Sequence, residues 1–198
     1  MGPWMGVGLG FSTSDSVELN DGSNGSFTEE GGDVATVSLE AFYTTLRFDV
    51  GGALQHMTGG AYQRPNGVTG RFGAMFSAGP FVRWRYWSVV PGSFYLQYMP
   101  AWTAVVHSDY VRRDAAMMQS VDAEDVAEVT HSFSNNVGAG FILMLRPDIA
   151  LDLRVNVMLM ESEIDLDATA NHDACEQGHC VGYIRERAGL RLSLFWTL

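Results

Sequence analysis

The residues of this sequence whose side chains are best suited to metal binding or redox chemistry are cysteines and histidines near its C-terminal end. The stretch DACEQGHC contains Cys175, His179 and Cys180, and His172 lies just before it. Thiolate and imidazole groups at this spacing could bind zinc. A structural zinc knuckle would need a second cysteine pair, however, and the chain has only 2 cysteines. The spacing therefore favours a local disulfide between Cys175 and Cys180 in an oxidising compartment, with a metal site as the alternative.

The stretch HSFSNN contains a histidine and a serine that could form a hydrolytic pair. A serine nucleophile needs a base such as histidine within hydrogen-bond reach. His131 and Ser134 are three positions apart, and residues three apart in a strand point to opposite faces. A dyad would require Ser132 or a β-bulge to bring the two groups together. We therefore predict no catalytic residues.

Charged residues interleaved with glycine and serine along alternating segments are the third candidate. All 12 basic residues are arginines and the net charge is -11, which argues against a nucleic-acid partner. Unpaired charge inside a barrel is costly, so we expect the arginines to pair with Asp49 and Asp152, and with Glu40 as an option. The predicted interior network consists of Arg47, Asp49, Arg83, Arg85, Asp152, Arg154, Arg187 and Arg191.

The elements that would position these residues are β-strands. On both sides of Pro147-Asp148 the odd positions, 137–145 and 151–159, are apolar. This period of two is the pattern of a strand with one apolar face. The Pro-Asp pair predicts a tight turn, so the two strands form a β-hairpin.

The same alternation predicts eight strands in one domain, residues 1–198. A β-bulge near residues 41–43 would keep the second strand's apolar face continuous, and a short helical turn is expected at 123–128. Pro80 and Pro100 each remove a ladder hydrogen bond, so we expect bulges or strand ends there. The approximate strands are 3–14, 34–49, 53–63, 70–87, 94–109, two strands between 131 and 165, and 183–198, with short turns at Gly51-Gly52, Pro91-Gly92 and Pro147-Asp148.

The links between the predicted strands alternate in length. Those after the first, third, fifth and seventh strands are long and polar, whereas the other three are tight turns. Sixteen acidic residues lie in the first, third and fourth long links and the adjoining strand ends. Outer-membrane barrels show this asymmetry, with short periplasmic turns, long external loops and an even strand count. The predicted fold is all-β, an eight-stranded antiparallel up-and-down transmembrane β-barrel.

The contents of the two strand faces distinguish a membrane barrel from a soluble one. A soluble barrel hides its apolar face inside, whereas a membrane barrel turns that face to lipid. Glycines mixed with arginines suit the cramped interior of a narrow barrel. Aromatic residues near strand ends are typical of the membrane interface. The predicted aromatic girdle consists of Trp84, Tyr86, Tyr98, Trp102 and Trp196.

The stretch NNVGAGFILMLRPDIALDLRVNVMLM resembles the penultimate hairpin of small bacterial outer-membrane β-barrels, the OmpA-like, OmpX-like and OmpW-like group. A Gly-rich strand, a short proline turn and an arginine-bearing strand recur in that hairpin. The resemblance extends loosely over the whole chain and picks out no subfamily. It implies the outer membrane of a Gram-negative bacterium as the location.

The start of the chain shows no charged segment followed by an apolar core. We therefore expect no secretory signal and take Met1 as the start of the mature form. The longest apolar run is about five residues, far short of the roughly 18 that a membrane helix needs.

Four functions are compatible with these features. We predict a structural or surface-binding protein that acts through acidic external loops, with a plugged interior. Its expected partners are membrane lipid, lipopolysaccharide and surface proteins, and we expect a monomer without a cofactor. The alternatives are a porin-like narrow conduit for small solutes, as in the OmpW-like barrels, a lipid A deacylase of the PagL type, and a soluble lipocalin-like carrier. The PagL pattern places its His and Ser two positions apart, unlike this chain.

Overall fold

A computed structural model describes residues 2–20, 26–31, 34–58, 61–63, 69–71, 73–119, 121–165 and 180–198. The elements are β1 (Gly2–Asn20), β2 (Ser26–Gly31), β3 (Val34–Thr44), β4 (Phe48–Met57), β5 (Ala61–Gln63), β6 (Thr69–Arg71), β7 (Gly73–Val89), β8 (Gly92–His107), α1 (Asp109–Gln119), β9 (Val129–Arg146), β10 (Ile149–Asp165) and β11 (Cys180–Thr197). None of the described residues forms a helix that is long and apolar enough to cross a membrane.

Eight of the strands close into an antiparallel barrel. In the order β1, β3, β4, β7, β8, β9, β10 and β11, each strand pairs with the next, and β11 pairs back with β1. The short strand β2 pairs with β1, and β5 with β6 forms a separate hairpin between β4 and β7. Closure leaves the barrel without an unpaired sheet edge, which hydrocarbon surroundings require. The predicted fold class is confirmed.

The two ends of the barrel differ. Short turns join β3 to β4, β7 to β8, and β9 to β10, whereas long segments follow β1, β4, β8 and β10. By the rule for outer-membrane barrels, the end with short turns is periplasmic and the opposite end is external. The helix α1 lies in the external segment between β8 and β9.

The outer face of the barrel is apolar and the inner face carries the charge. Leu153, Val155 and Leu192 are 50%, 55% and 51% exposed on the outside. Arg154 and Arg191, their neighbours in sequence, are only 1% and 3% exposed. This is the reverse of a soluble barrel, so the outer face belongs in lipid and the lipocalin-like alternative is excluded.

The predicted turn at Gly51-Gly52 was wrong. Both glycines lie inside β4, and the turn from β3 occupies residues 45–47. Thr45 holds this turn because its hydroxyl accepts a hydrogen bond from the backbone N–H of Phe48 at 3.0 Å. The backbone N–H of Thr45 also donates to the Phe48 carbonyl, at 2.8 Å. The Thr45 side chain thus stabilises a turn that contains neither glycine nor proline.

The irregularities predicted for the strands also differ from those found. The β-bulge expected near residues 41–43 is not in β3, whose register against β1 and β4 is unbroken. Phe42 changes the parity of the apolar pattern because it points into the barrel, where it is 6% exposed. Pro80 and Pro100 lie within strands rather than at strand ends or bulges. Pairing of β7 with β8 lapses around both prolines and resumes in the same register.

The predicted helical turn at residues 123–128 was placed too late in the chain. The helix is α1, and its first turn is supported by the Ser108 hydroxyl, which accepts from the Val111 N–H at 3.4 Å. Val111 and Ala115, four positions apart, share one face of the helix. Both are buried, so that face of α1 packs onto the barrel.

Candidate functional site

An ion cluster centred on Glu40 fills the middle of the lumen. One oxygen of Glu40, Oε1, accepts from Nη2 of Arg154 at 2.7 Å and from Nη1 of Arg191 at 3.1 Å. The other oxygen, Oε2, accepts from Nη2 of Arg83. These side chains come from β3, β7, β10 and β11, so a single carboxylate joins four strands across the lumen. We call Glu40, Arg83, Tyr95, Gln97, Asp152, Arg154 and Arg191 the Glu40 cluster.

Polar partners complete the Glu40 cluster. The amide oxygen of Gln97 accepts from Nε of Arg83 at 2.7 Å and from Nη1 of Arg154 at 2.6 Å. Asp152 accepts from Arg154 at 3.0 Å and from the hydroxyl of Tyr95 at 2.5 Å. Each carboxylate in the cluster therefore has charged or hydroxyl donors, as a buried charge requires.

Aromatic rings surround the guanidinium of Arg83. Its Cζ lies 4.5 Å from the ring centroid of Phe81, 4.8 Å from Phe42, 5.1 Å from Phe195 and 5.3 Å from Tyr95. Rings at these distances attract a cation through their negative faces. The Phe42 and Phe195 rings meet edge to face, with centroids 5.0 Å apart. These rings form an aromatic layer inside the barrel, in contact with the Glu40 cluster.

A separate ion pair lies at the periplasmic end of the barrel. Arg85 donates to both oxygens of Asp49, with Nη2 to Oδ1 at 2.6 Å and Nε to Oδ2 at 3.3 Å. The Asp49 side chain is fully buried, whereas that of Arg85 is 19% exposed. Arg47, predicted to belong to the interior network, lies exposed in the turn between β3 and β4. It leaves the interior because that turn comes earlier than predicted.

Hydroxyl groups form the next layer toward the external end. The Thr103 hydroxyl lies 2.8 Å from that of Ser77 and 2.8 Å from that of Ser134. Arg187 donates to the Thr36 hydroxyl at 2.7 Å. These side chains point inward from strands on several sides, so the lumen stays filled above the Glu40 cluster.

The external part of the lumen is largely apolar apart from the buried His107 and Arg185, and α1 packs against it. The buried face of α1 packs against buried side chains of the barrel strands and of the segment after the helix. Arg112 of α1 binds the segment that follows the helix, since its Nε donates to the Val126 carbonyl at 3.1 Å. The packed side chains are Val17, Leu19, Val34, Met57, Met75, Val105, Val111, Ala115, Ala116, Val126, Met158, Met160, Ile164, Val181 and Tyr183. We call this set the external core.

The predicted interior residues differ in how deeply they are buried. Those buried in the lumen are Asp49, Arg83, Asp152, Arg154, Arg187 and Arg191. Arg85 is partly buried and Arg47 is exposed. Glu40, offered only as an option, is the centre of the cluster. Tyr95, Gln97 and the buried Arg185 were missed, although all three have the parity of inward-facing positions.

The five girdle residues all lie on the outer face. Trp84, Tyr86, Tyr98, Trp102 and Trp196 are between 36% and 50% exposed. Other aromatic residues of the outer face lie near the periplasmic turns, where the Trp87 and Phe94 rings stack with centroids 5.5 Å apart.

The histidine and serine of HSFSNN point to opposite sides of β9. His131 lies outside, with its ring stacked on that of Trp102 at 5.1 Å. Ser134 is 1% exposed inside the lumen and bonds Thr103. The two therefore form no hydrolytic pair in this arrangement.

The predicted disulfide lies outside the described residues, because neither Cys175 nor the side chain of Cys180 is among them. Within the described part of the chain, no group of three or more histidine, cysteine, aspartate or glutamate side chains is placed to hold a metal ion.

Comparisons with known proteins identify the fold. No protein-family model matches the sequence, and a search of curated proteins gives no match. Among solved structures, the chain is similar to Neisserial surface protein A, with 12% identity, a TM-score of 0.56, and coverage of 100% of this chain and 98% of that chain. It is also similar to the outer membrane protein OprG from Pseudomonas aeruginosa, with 12% identity, a TM-score of 0.51, and coverage of 100% and 96%.

At this level of identity the likeness concerns the fold. The chain has the closed eight-stranded barrel of small outer-membrane proteins, as the sequence resemblance implied. The apolar outer face agrees with that placement, and the bacterial outer membrane is its location.

Proposed function

We propose that this outer-membrane barrel is a closed, non-catalytic surface protein that acts through its acidic external loops. The observation that carries the proposal is the Glu40 cluster, in which Glu40, Gln97 and arginines from three further strands meet inside the lumen. An eight-stranded barrel is just wide enough for side chains to fill. With its interior occupied, the surface available to partners is the external end.

The charge of the external end supports contacts with basic partners. Between β8 and β9 the chain exposes five acids against two arginines, Arg112 and Arg113; the acids are Asp109, Asp122, Glu124, Asp125 and Glu128. A surface with one dominant sign of charge attracts partners of the opposite sign and speeds their encounter. The proposed partners are basic surface proteins in addition to lipopolysaccharide, with the barrel acting as a monomer.

Two measurements test this proposal. In planar bilayers the purified barrel should give a silent trace, and a stable unit conductance would contradict the closed lumen. In vesicles that carry the barrel, binding to immobilised polylysine should fall on neutralising three loop acids with Asp122→Asn, Glu124→Gln and Asp125→Asn.

The matched control removes the same charge from the rim of the strands. Glu161, Glu163 and Glu186 are exposed on β10 and β11, and all three are changed to glutamine. Polylysine binding that depends on the segment between β8 and β9 should be unchanged in this control. If both triple variants lose binding equally, net charge rather than the external loop is responsible, and the proposal fails.

A narrow conduit for small apolar solutes is the second candidate, and the external core favours it. Four buried methionines, Met57, Met75, Met158 and Met160, line this apolar region beneath α1. Methionine adapts its shape to varied apolar contacts. If α1 moved aside, an apolar solute could enter, so vesicles carrying the barrel should take up a small apolar dye faster than empty vesicles. Equal rates would leave the closed barrel as the better description.

A further inference from the structure

A small cavity lies inside the barrel, between the Glu40 cluster and the external core. Arg191 of the Glu40 cluster lines it, as do Met57 and Met158 of the external core. Its volume is about 10 Å³. That is about the space that one water molecule or one ion of similar size needs. We call this space the lumen cavity.

The lining of the lumen cavity combines positive charge with neutral hydrogen-bond donors. Arg187 and Arg191 of β11 both line it, and Gly189 between them contributes no side chain. Asn156 lines it from β10, where it stands directly opposite Gly189. The Thr36 hydroxyl accepts from Arg187 at 2.7 Å, which leaves its own proton available to donate. A guanidinium, an amide and a hydroxyl are the groups that bind an anion.

The Glu40 cluster carries more positive than negative charge. Three guanidinium groups share the two carboxylates of Glu40 and Asp152, which leaves one positive charge in excess. Arg154 and Arg191 stand directly opposite each other in the register of β10 and β11. Like charges in this position repel, and here a single carboxylate oxygen, Oε1 of Glu40, serves both. A buried charge without full compensation is costly.

Arg191 is the arginine of the Glu40 cluster with the fewest polar contacts. Its Nη1 lies 3.1 Å from the shared oxygen of Glu40. Its buried Nε makes no hydrogen bond to any residue that the structure describes. Arg187 differs, because Asp15 stands opposite it in the register of β1 and β11, whereas Gly10 stands opposite Arg191. We therefore assign the excess charge to Arg191, which borders the lumen cavity.

We propose that the lumen cavity binds one small monovalent anion of the size of chloride beside Arg191. The charge of the lining selects an anion. The volume selects a single halide, since sulfate, phosphate esters and organic anions are larger than the space for one water molecule. A water molecule fits the cavity but leaves the excess charge of the Glu40 cluster uncompensated. The proposal concerns the interior of the barrel and does not depend on the role of the external loops.

The test compares unfolding of the barrel in chloride and in gluconate, an anion too large for the lumen cavity. The full-length protein is refolded into lipid vesicles in each anion at the same ionic strength, so no ion has to pass through a filled lumen. Urea unfolding is followed by tryptophan fluorescence. The wild type should unfold at a higher urea concentration in chloride. As chloride replaces gluconate, the shift should reach a plateau, because a ligand that binds the folded state stabilises it.

Two variants and one control separate an ion site from a general salt effect. Asn156→Asp places a carboxylate of nearly the same shape at the cavity wall. It should abolish the chloride dependence and unfold in gluconate at a higher urea concentration than the wild type. Arg191→Gln should raise the chloride concentration for half of the shift at least about tenfold, because a charge-assisted hydrogen bond is lost. The control Arg85→Gln removes the same charge at the periplasmic end and should keep the chloride dependence of the wild type.

Crystals of the wild type grown in sodium bromide locate the ion directly. An anomalous peak should appear within hydrogen-bond distance of Arg191, and its absence would overturn the proposal. Equal unfolding midpoints of the wild type in chloride and gluconate would also overturn it. So would a chloride dependence that persists in Asn156→Asp, or one that is lost equally in Arg85→Gln. Because Asn156 belongs to no ion pair, its variant decides the question if Arg191→Gln does not fold.

Discussion

Replacing Glu40 by glutamine should destabilise the barrel more than any other conservative change in the lumen. The substitution keeps the shape of the side chain but removes the charge that Arg83, Arg154 and Arg191 share. Arg154 retains Asp152 at 3.0 Å. Among the described ion pairs, Glu40 is the carboxylate partner of both Arg83 and Arg191. Two buried guanidinium groups would therefore lose their counter-charge at once.

The magnitude follows from the burial of these groups. Removing one partner of a buried ion pair costs about 3–5 kcal/mol because the remaining charge is uncompensated. The side chains of Glu40, Arg83 and Arg191 are 1%, 0% and 3% exposed, so water cannot solvate the charges that lose their partner. We therefore expect Glu40→Gln to lower the free energy of unfolding by about 5 kcal/mol, the upper end of that range. In the control Asp49→Asn, Arg85 is 19% exposed and can reach solvent, so the loss should be about 1–3 kcal/mol.

The assay is urea unfolding of the barrel in lipid vesicles, followed by tryptophan fluorescence and by heat-modifiable mobility. The reasoning would be refuted if Glu40→Gln lowered the free energy of unfolding by less than about 1 kcal/mol, or by no more than Asp49→Asn does. If Glu40→Gln does not fold, the double variant Glu40→Gln/Arg191→Gln decides. Removing one of the two cations left without a counter-charge should restore folding, and a double variant that also fails to fold would contradict the ion-cluster account.

Three further outcomes are expected. Leu153→Arg places a charge on the lipid face and should lower the unfolding free energy in vesicles by about 2–4 kcal/mol, whereas Leu153→Ala should cost less. Gly51→Ala should destabilise the barrel by about 1–3 kcal/mol because its Cβ meets backbone, whereas Gly52→Ala should stay within about 0.5 kcal/mol of wild type in the same titration. Ala115→Glu buries a carboxylate under α1, so proteolysis of the external segment should become roughly tenfold faster, and unchanged cleavage would argue against α1 as a cover.

The strands were predictable wherever one parity was uniformly apolar. Around Pro147 both strands keep that parity, and β9 ends at Arg146 and β10 begins at Ile149, on either side of the predicted turn. At the β3–β4 turn the signal failed for two reasons. Phe42 is apolar yet faces the lumen, and Thr45 forms the turn through its hydroxyl instead of through a glycine. Periodicity cannot distinguish an inward aromatic from an outward one, since both are apolar.

The interior network was only partly predictable, because parity gives the direction of a side chain but not its partners. Alternation puts Arg83, Arg154 and Arg191 on the inward parity, and all three side chains are buried. The central role of Glu40 depends on the way the barrel brings β3, β7, β10 and β11 around one point, which requires the closed three-dimensional arrangement. The helix α1 could have been found from Ser108, which precedes it and whose hydroxyl accepts from the Val111 N–H.

The Glu40 cluster has a consequence for how the barrel forms. Glu40 is separated in sequence from Arg83, Arg154 and Arg191 by 43, 114 and 151 residues. None of these pairings is local, and those with Arg154 and Arg191 need the last two strands in position. An incomplete sheet, with some of these charges unmatched, would enter hydrocarbon at high energetic cost. We therefore expect the cluster to favour insertion of the complete barrel over insertion of a partly assembled sheet.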